Sequence, residues 1–394
     1  MAPVLLLAFG VLMMAAVLIS ERARRTVVST SVLFLVAGLL LGSGGLGLVE
    51  VAGEDDVVRH FAELALFSIL FVDGAQLPLE DLRAAWRLPG RALLVGMPLT
   101  FGALALAGHL ILGMTWIEAM LVAAILSPTD PVFVAEILGR EAVPLRLRRL
   151  LSVESGLNDG LALPVVMVLL AFAGSGQAEP WKPFASAGLG VLLGVAVPWF
   201  FLWLERRTFL GSSEQYRPLG GLAIAAVLFG ASELIHANEF LAAFTGGITL
   251  ATVREEFAID LRDLLLPVAE AIKLATLMVF GSILSLPFLF APGWPGVAFA
   301  AVALLASRPL GLVLAMFRGG LSRKEWLAAA WFGPKGFASL LYALLMLHAG
   351  LARGTWLFQV AALVIVASII AHSSTDAMVA RVFAREEGAS DAAG

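Results

Sequence analysis

Asp130 stands in the stretch SPTDPVF, Ser127 to Phe133, midway along an apolar run that reads WIEAMLVAAILSPTDPVFVAEIL. Pro128 and Pro131 lack an amide hydrogen, and each clashes with the carbonyl four residues before it. Flanking Thr129 and Asp130, they predict a local unwinding of a helix. Carbonyls released this way cannot face lipid, so they must line protein or a wet cavity. Unwound carbonyls beside a carboxylate offer hard oxygen ligands to a monovalent cation and a base to a proton. A lone proline is an ordinary kink in a membrane helix; two of them bracketing Thr-Asp predict more than a kink.

A second acidic site follows in SVESGLNDGLALP, where Asn158 and Asp159 lie within the next apolar run. At a rise of about 1.5 Å per residue, Asp130 and Asp159 both fall near mid-bilayer on neighbouring antiparallel spans. A carboxylate at that depth costs at least about 2.5–3.5 kcal/mol, so a functional role is the default reading. Two carboxylates sharing a low-dielectric site cannot both stay charged without a counter-cation. Proton and cation then compete for the same oxygens, and that competition is itself an exchange mechanism.

The neighbours of these carboxylates have narrower roles. Ser155 precedes Asp159 by one helical turn on the same face, where its hydroxyl either completes the coordination or bonds back to its own helix. Glu154 needs a buried partner, and Arg308 in LLASRPLGLVL is the best candidate for a structural ion pair. Asp73, in SILFVDGAQL, ends the third span, either at a cytoplasmic funnel, touching the ion through water, or as an interfacial carboxylate. Lys335, in WFGPKGFASL, supplies a positive charge that offsets exposed helix-dipole ends. Glu270 and Lys273 share a face and can pair. Glu63, Glu136 and Glu233 have no evident partner in the sequence, and the five histidines show no metal-ligand spacing.

These residues must be positioned by membrane helices. The chain has 394 residues, 60% of them hydrophobic and 14% charged, and its mean hydropathy is +0.93. An all-α polytopic membrane protein follows, with lipid as the main solvent. The hydrophobic segments are roughly 3–20, 26–42, 57–73, 91–112, 116–138, 149–173, 185–204, 217–235, 239–253, 265–285, 295–317, 325–348 and 355–379, about 13 in all. Of the 26 Lys and Arg, 20 fall in alternate loops and the tail. That places the N-terminus outside and the C-terminus in the cytoplasm. The opening MAPVLLLAFGVLMMAAVLISERARR has its positive charges after the apolar run, so it reads as a first span and not as a cleaved leader. Residues 1–385 form one transmembrane domain and 386–394 a short polar tail. There is no cysteine, and hence no thiolate metal site or disulfide.

The fifth and twelfth spans are the two broken ones, by SPTDP and by Gly333, Pro334 and Gly336. With the seventh span as a linker, they occupy matching places in two six-span halves. Paired interruptions of this kind mark inverted repeats with a midplane site.

The motifs FVDGAQL, SPTDPVF, SVESGLNDG, SRPLGLVL and WFGPKGFASL together resemble the sodium/proton exchanger (NhaP/NHE-type) branch of the monovalent cation/proton antiporter superfamily. They run from the third span to the twelfth. The resemblance implies an NhaA-like antiporter fold with crossed broken helices. Its ion-translocation core would take the helices of approximately 57–173 and 265–348, and the remaining spans would form a dimerisation scaffold. It implies a homodimer in the cell (inner) membrane, with elevator-like alternating access. It implies cation contacts from Asp130, Asp159, Ser155 and the Thr129 backbone, with Asn158 positioning the site and Glu154 paired to Arg308. Asn-Asp at 158–159 marks the group that exchanges one cation per proton. Lys335 stands where many members carry arginine, Asp73 where some relatives carry glutamate, and Pro309 directly after Arg308 is unusual.

The expected activity is exchange of Na⁺ or Li⁺ for H⁺, with no cofactor and no enzymatic reaction; K⁺/H⁺ exchange on the same fold is the alternative. An intramembrane aspartyl protease also needs two aspartates on neighbouring spans, but its Tyr-Asp and Gly-x-Gly-Asp strings do not occur. A non-transporting membrane sensor is the remote alternative. No GxxxxGK[ST] loop or basic-aromatic patch points to nucleotides or nucleic acid.

Overall fold

The computed structural model describes residues 2–23, 30–49, 56–80, 87–130, 143–174, 181–207, 213, 216–317 and 319–391. Regular structure among them is helical only. Among the described residues, seven helices are long and apolar enough to cross a membrane, and five shorter apolar helices accompany them. The protein is a multi-pass membrane protein. Each apolar segment of the sequence carries a helix, the fifth as far as Leu126. Residues 127–130 follow it without helix, and the part of that span from Pro131 on, with Glu136, lies outside the described residues. The last helix, Gly354–Asp391, continues through the residues whose composition predicts a polar tail.

Proline alone does not decide where helices break. Pro164, Pro198 and Pro267 sit inside the continuous helices Leu145–Gly174, Lys182–Glu205 and Glu255–Ile283. The helix Trp116–Leu126 instead stops before Ser127, and Pro128 follows at once. The twelfth segment splits into Arg323–Trp331 and Phe337–His348 around residues 332–336, where Pro334 lies between two glycines. Glycine lowers helix propensity and proline removes a donor, so their combination unwinds what proline alone only bends. The eleventh segment, expected to be continuous, divides at Ala306 into Gly293–Leu305 and Ser307–Ala315. Pro309, whose ring opposes the carbonyl of Leu305, stands two residues before Gly311, so proline and glycine again combine at the division. Arg308 thereby enters the first turn of a new helix.

The chain forms two compact units. The first comprises Met1–Arg59, Arg87–Asn158 and Leu274–Gly394. Both half-helices that lead into breaks start here with a capping box. Thr115 and Glu118 exchange side-chain and backbone hydrogen bonds at the start of Trp116–Leu126, and Ser322 and Glu325 do the same for Arg323–Trp331. Each box satisfies two orphan amides of a helix N-terminus. The apolar core of this unit includes Leu147, Leu150, Leu151, Leu312, Ala329 and Phe332. Burying each leucine stabilises the fold by about 1.5–3 kcal/mol. The Gly38-xxx-Gly42 pair packs on the backbone of Glu255–Ile283 at Met278 and Ser282, so its close approach is used within the chain.

The second unit comprises His60–Trp86 and Asp159–Lys273. The helix Glu239–Val253, whose residues 242–247 read AAFTGG, lies at its centre. Gly190 and Gly194 of Lys182–Glu205 pack against Asn238 and Thr245 of this element and its cap. Arg254 at its end pairs with Glu205.

Candidate functional site

In the first unit the broken segments meet at their breaks. The amide of Asp130 donates to the Pro334 carbonyl at 3.0 Å. In return, Asp130 Oδ2 accepts from the Phe337 amide at 2.7 Å. Phe337 is the first residue of its half-helix, so the carboxylate faces the positive end of a helix dipole. Bonds to an ionised acceptor are the stronger class of hydrogen bond. Gly336 is indispensable to this approach. A Cβ there would lie 2.5 Å from Asp130 Cγ and nearer still to its Cβ and Oδ2.

A polar cluster surrounds Thr129. Asn158 Nδ2 donates to Thr129 Oγ1 at 2.7 Å, and Thr129 Oγ1 lies 3.1 Å from Ser155 Oγ. Ser155 and Asn158 come from Leu145–Gly174, one turn apart, and face the same partner. Thr129, Asp130, Ser155 and Asn158 are all buried. Asn158 Oδ1 has no hydrogen-bond partner among the described residues. A buried carbonyl oxygen in that state costs about 1–3 kcal/mol unless a ligand or water satisfies it. Among the described residues the cluster therefore offers one buried oxygen, Asn158 Oδ1, that no protein donor satisfies.

Glu154 and Arg308 form a bidentate pair, Nη1 to Oε1 at 2.7 Å and Nη2 to Oε2 at 2.9 Å, while Arg308 Nε donates to the Ala329 carbonyl at 2.9 Å. Pro309 does not prevent this reach. Arg308 thus ties Leu145–Gly174 to the half-helix before the second break. Gly333 makes room for it, since a Cβ there would lie 2.7 Å from Arg308 Nε. The planar guanidinium uses three edges at once, which a lysine cannot do. Lys335 is fully buried in the break, and its Nζ has no hydrogen-bond partner among the described residues.

Asp159 and Asp73 belong to the second unit. Asp159 is buried and Asp73 is half-buried. Each precedes a glycine, and both glycines rest on Phe244. A Cβ on Gly160 would lie 2.5 Å from Phe244 Cε1, and one on Gly74 would meet the Phe244 carbonyl carbon at 3.1 Å, with its oxygen closer. The helix Glu239–Val253 is therefore the platform that seats both Asp-Gly steps. Phe244 was not legible as a site-supporting residue, because one phenylalanine in an apolar span carries no signal. The repeated Asp-Gly dipeptide was the available clue.

A family model described as the transmembrane sodium/hydrogen exchanger matches residues 9–381. The chain belongs to the sodium/hydrogen exchanger family. Within it, the chain is similar to the K⁺/H⁺ antiporter NhaP of Alkalimonas amylolytica, 25% identical over 95% of this chain and 66% of that protein. It is also similar to the K⁺/H⁺ antiporter NhaP2 of Shewanella sp. strain MR-4, 25% identical over 93% of this chain and 65% of that protein. The chain spans just under two thirds of the length of these curated relatives. A solved structure of the sodium proton antiporter MjNhaP1 from Methanocaldococcus jannaschii at pH 8 superposes with a TM-score of 0.80. At 18% identity it covers 96% of this chain and 97% of its own, so this chain has the NhaP fold.

Proposed function

We propose that the chain is a secondary antiporter that exchanges a monovalent cation, Na⁺ or Li⁺, for H⁺ at Asp130 and Asp159. The observation that carries this reading is the buried oxygen cluster at the meeting of the two breaks. Asp130 is held there by the Phe337 amide beside Thr129, Ser155 and Asn158. Family membership supports the same class of activity.

The cation takes the place of the proton on the carboxylates, and each carries the loaded site across. One cation for one proton is what the family resemblance implies for the Asn158-Asp159 pair. The transported ions are cargo, and no covalent step is needed. Asn158 and Thr129 position and ligate, Ser155 completes the shell, and Asp73 guides the ion along its path. Glu154 and Arg308 fix the helices, and Lys335 balances the break. Thirteen spans with crossed broken helices, a homodimer, an elevator-like motion, an outside N-terminus and a place in the inner cell membrane complete the proposal.

K⁺/H⁺ exchange is the second reading, favoured by the names of the relatives from Alkalimonas and Shewanella. Carboxylate and carbonyl oxygens bind both ions, and cavity size selects between them. Proteoliposomes with an imposed proton gradient and a pH-sensitive dye decide the matter. Dequenching by Na⁺ and Li⁺, abolished in Asp159→Ala of normal folded yield, is the expected result. Dequenching by K⁺ alone keeps the mechanism and changes the cargo. Silence toward all three cations between about pH 6 and 9 rejects transport in favour of a sensor.

A further inference from the structure

An interrupted helix leaves backbone groups that must find partners elsewhere. At the second break, Pro334 contributes no N–H, its carbonyl accepts from Asp130, and Gly333 N donates to the Trp331 carbonyl at 2.9 Å. The remaining partners come from the last helix, Gly354–Asp391. The Lys335 amide donates to Ser368 Oγ at 2.7 Å. Ser368 Oγ lies 3.1 Å from His372 Nδ1, and His372 Nε2 lies 3.0 Å from the Trp331 carbonyl. One turn on, Thr375 Oγ1 accepts from Trp331 Nε1 at 2.9 Å. Ser368, His372 and Thr375 stand at i, i+4 and i+7, a polar stripe on an apolar helix.

A carbonyl only accepts, so His372 Nε2 carries a proton toward Trp331. With the ring neutral, Nδ1 is then an acceptor and takes the proton of the Ser368 hydroxyl. A neutral ring protonated at Nε2 thus completes a directed relay from the Lys335 amide, through Ser368 and His372, to the Trp331 carbonyl. The relay joins the two sides of the break. A second acceptor, the Ser368 carbonyl, lies 2.8 Å from Nδ1. Protonation of Nδ1 would engage that carbonyl and release the Ser368 hydroxyl, opening the relay without moving the ring. Among the described residues, Lys335 on the break and Arg308 on Ser307–Ala315 are charged groups that act on the ring.

We propose that His372 and Ser368 are positioning residues, through which the last helix holds the second break in the geometry that presents the Phe337 amide and the Pro334 carbonyl to Asp130. Neither touches the cation. The inference rests on the reading of Asp130 as a cation ligand, so two independent measurements are needed. One is the half-saturating cation concentration in proteoliposomes across pH. The other is hydrogen–deuterium exchange of peptides covering 328–340, which requires no transport.

His372→Leu should fold and raise the half-saturating Na⁺ concentration about tenfold, in keeping with one or two lost buried hydrogen bonds. Exchange across 328–340 should accelerate. His372→Gln keeps a donor for the Trp331 carbonyl and should recover affinity to within about threefold. Because glutamine does not titrate, it should also lack any acid-side change in affinity that the wild type shows. Wild-type affinity and exchange in His372→Leu overturn the proposal. If that variant does not fold, Ser368→Ala decides, and unchanged exchange and affinity in it are equally fatal. If wild-type protein responds to no cation, the functional reading fails, and the exchange data still decide whether the clamp exists.

Discussion

Gly336→Ala tests the central geometry with a single methyl group. The added Cβ would sit 2.5 Å from Asp130 Cγ, whereas non-bonded carbons rest at about 3.5–4.0 Å. Asp130 must therefore retreat by about 1 Å or more. The same retreat stretches its bond with the Phe337 amide from 2.7 Å to beyond hydrogen-bonding range. A hydrogen bond to a charged group contributes about 1.5–3 kcal/mol, equivalent to about 10- to 150-fold in an equilibrium constant. Misplacing a functional group by about 1 Å costs on the order of 100-fold, in the same range. The assay is dye dequenching in proteoliposomes over a series of cation concentrations, with folded yield followed by size-exclusion chromatography. Gly102→Ala is the control, because its Cβ meets nothing within 4 Å. The half-saturating cation concentration should rise at least about tenfold in Gly336→Ala and stay unchanged in Gly102→Ala. A Gly336→Ala protein with wild-type half-saturation would show that transport does not depend on where Asp130 stands.

Two further substitutions separate ligand from scaffold. Asp130→Asn keeps the shape and an acceptor for the Phe337 amide but removes the charge, and should lower exchange to near background with folded yield intact; wild-type rates would reduce the SPTDP break to architecture. Glu154→Gln strands the Arg308 guanidinium in a buried site, where breaking a pair costs about 3–5 kcal/mol, so folded yield and thermal stability should fall more than cation affinity shifts. Normal yield with collapsed affinity would instead make Glu154 a ligand.

Chemistry was more legible in the sequence than geometry. Charge in apolar surroundings is conspicuous, so Asp130, Asp159, Glu154 and Arg308 could be picked out, with Arg308 as the best candidate partner of Glu154. The breaks were legible because proline and glycine act locally. The contacts between them were not. That Asp130 meets the Phe337 amide depends on tertiary placement across 207 residues of chain, and no local rule carries that information. The division at Ala306 was not legible from Pro309, because single prolines leave Leu145–Gly174, Lys182–Glu205 and Glu255–Ile283 whole. His372 stood out as a histidine in the last span, but its partners are backbone groups of another helix. Only the spacing of Ser368, His372 and Thr375 hinted at a polar face.

The half-helices that lead into the breaks share more than interruption. Trp116–Leu126 has 11 residues and Arg323–Trp331 has 9, and each opens with a Ser/Thr-x-x-Glu capping box, TWIE and SRKE. In each the box glutamate is also gripped by an arginine from elsewhere, Glu118 by Arg353 and Glu325 by Arg146. Each half-helix then runs to a proline-bearing break whose backbone bonds to the other. A capping box is worth only about 1 kcal/mol to an ordinary helix. It matters more for a half-helix of three turns or fewer, which is marginal alone and cannot borrow stability from a continuous span. The same three devices at both places, a reciprocal cap, a charge clamp on the cap and a break facing its counterpart, support descent of the two segments from one repeated unit. They also explain how short helices can end at mid-depth without fraying. The start of each half-helix is fixed, so its end can be left open for Asp130, Lys335 and the ion that the proposed mechanism brings there.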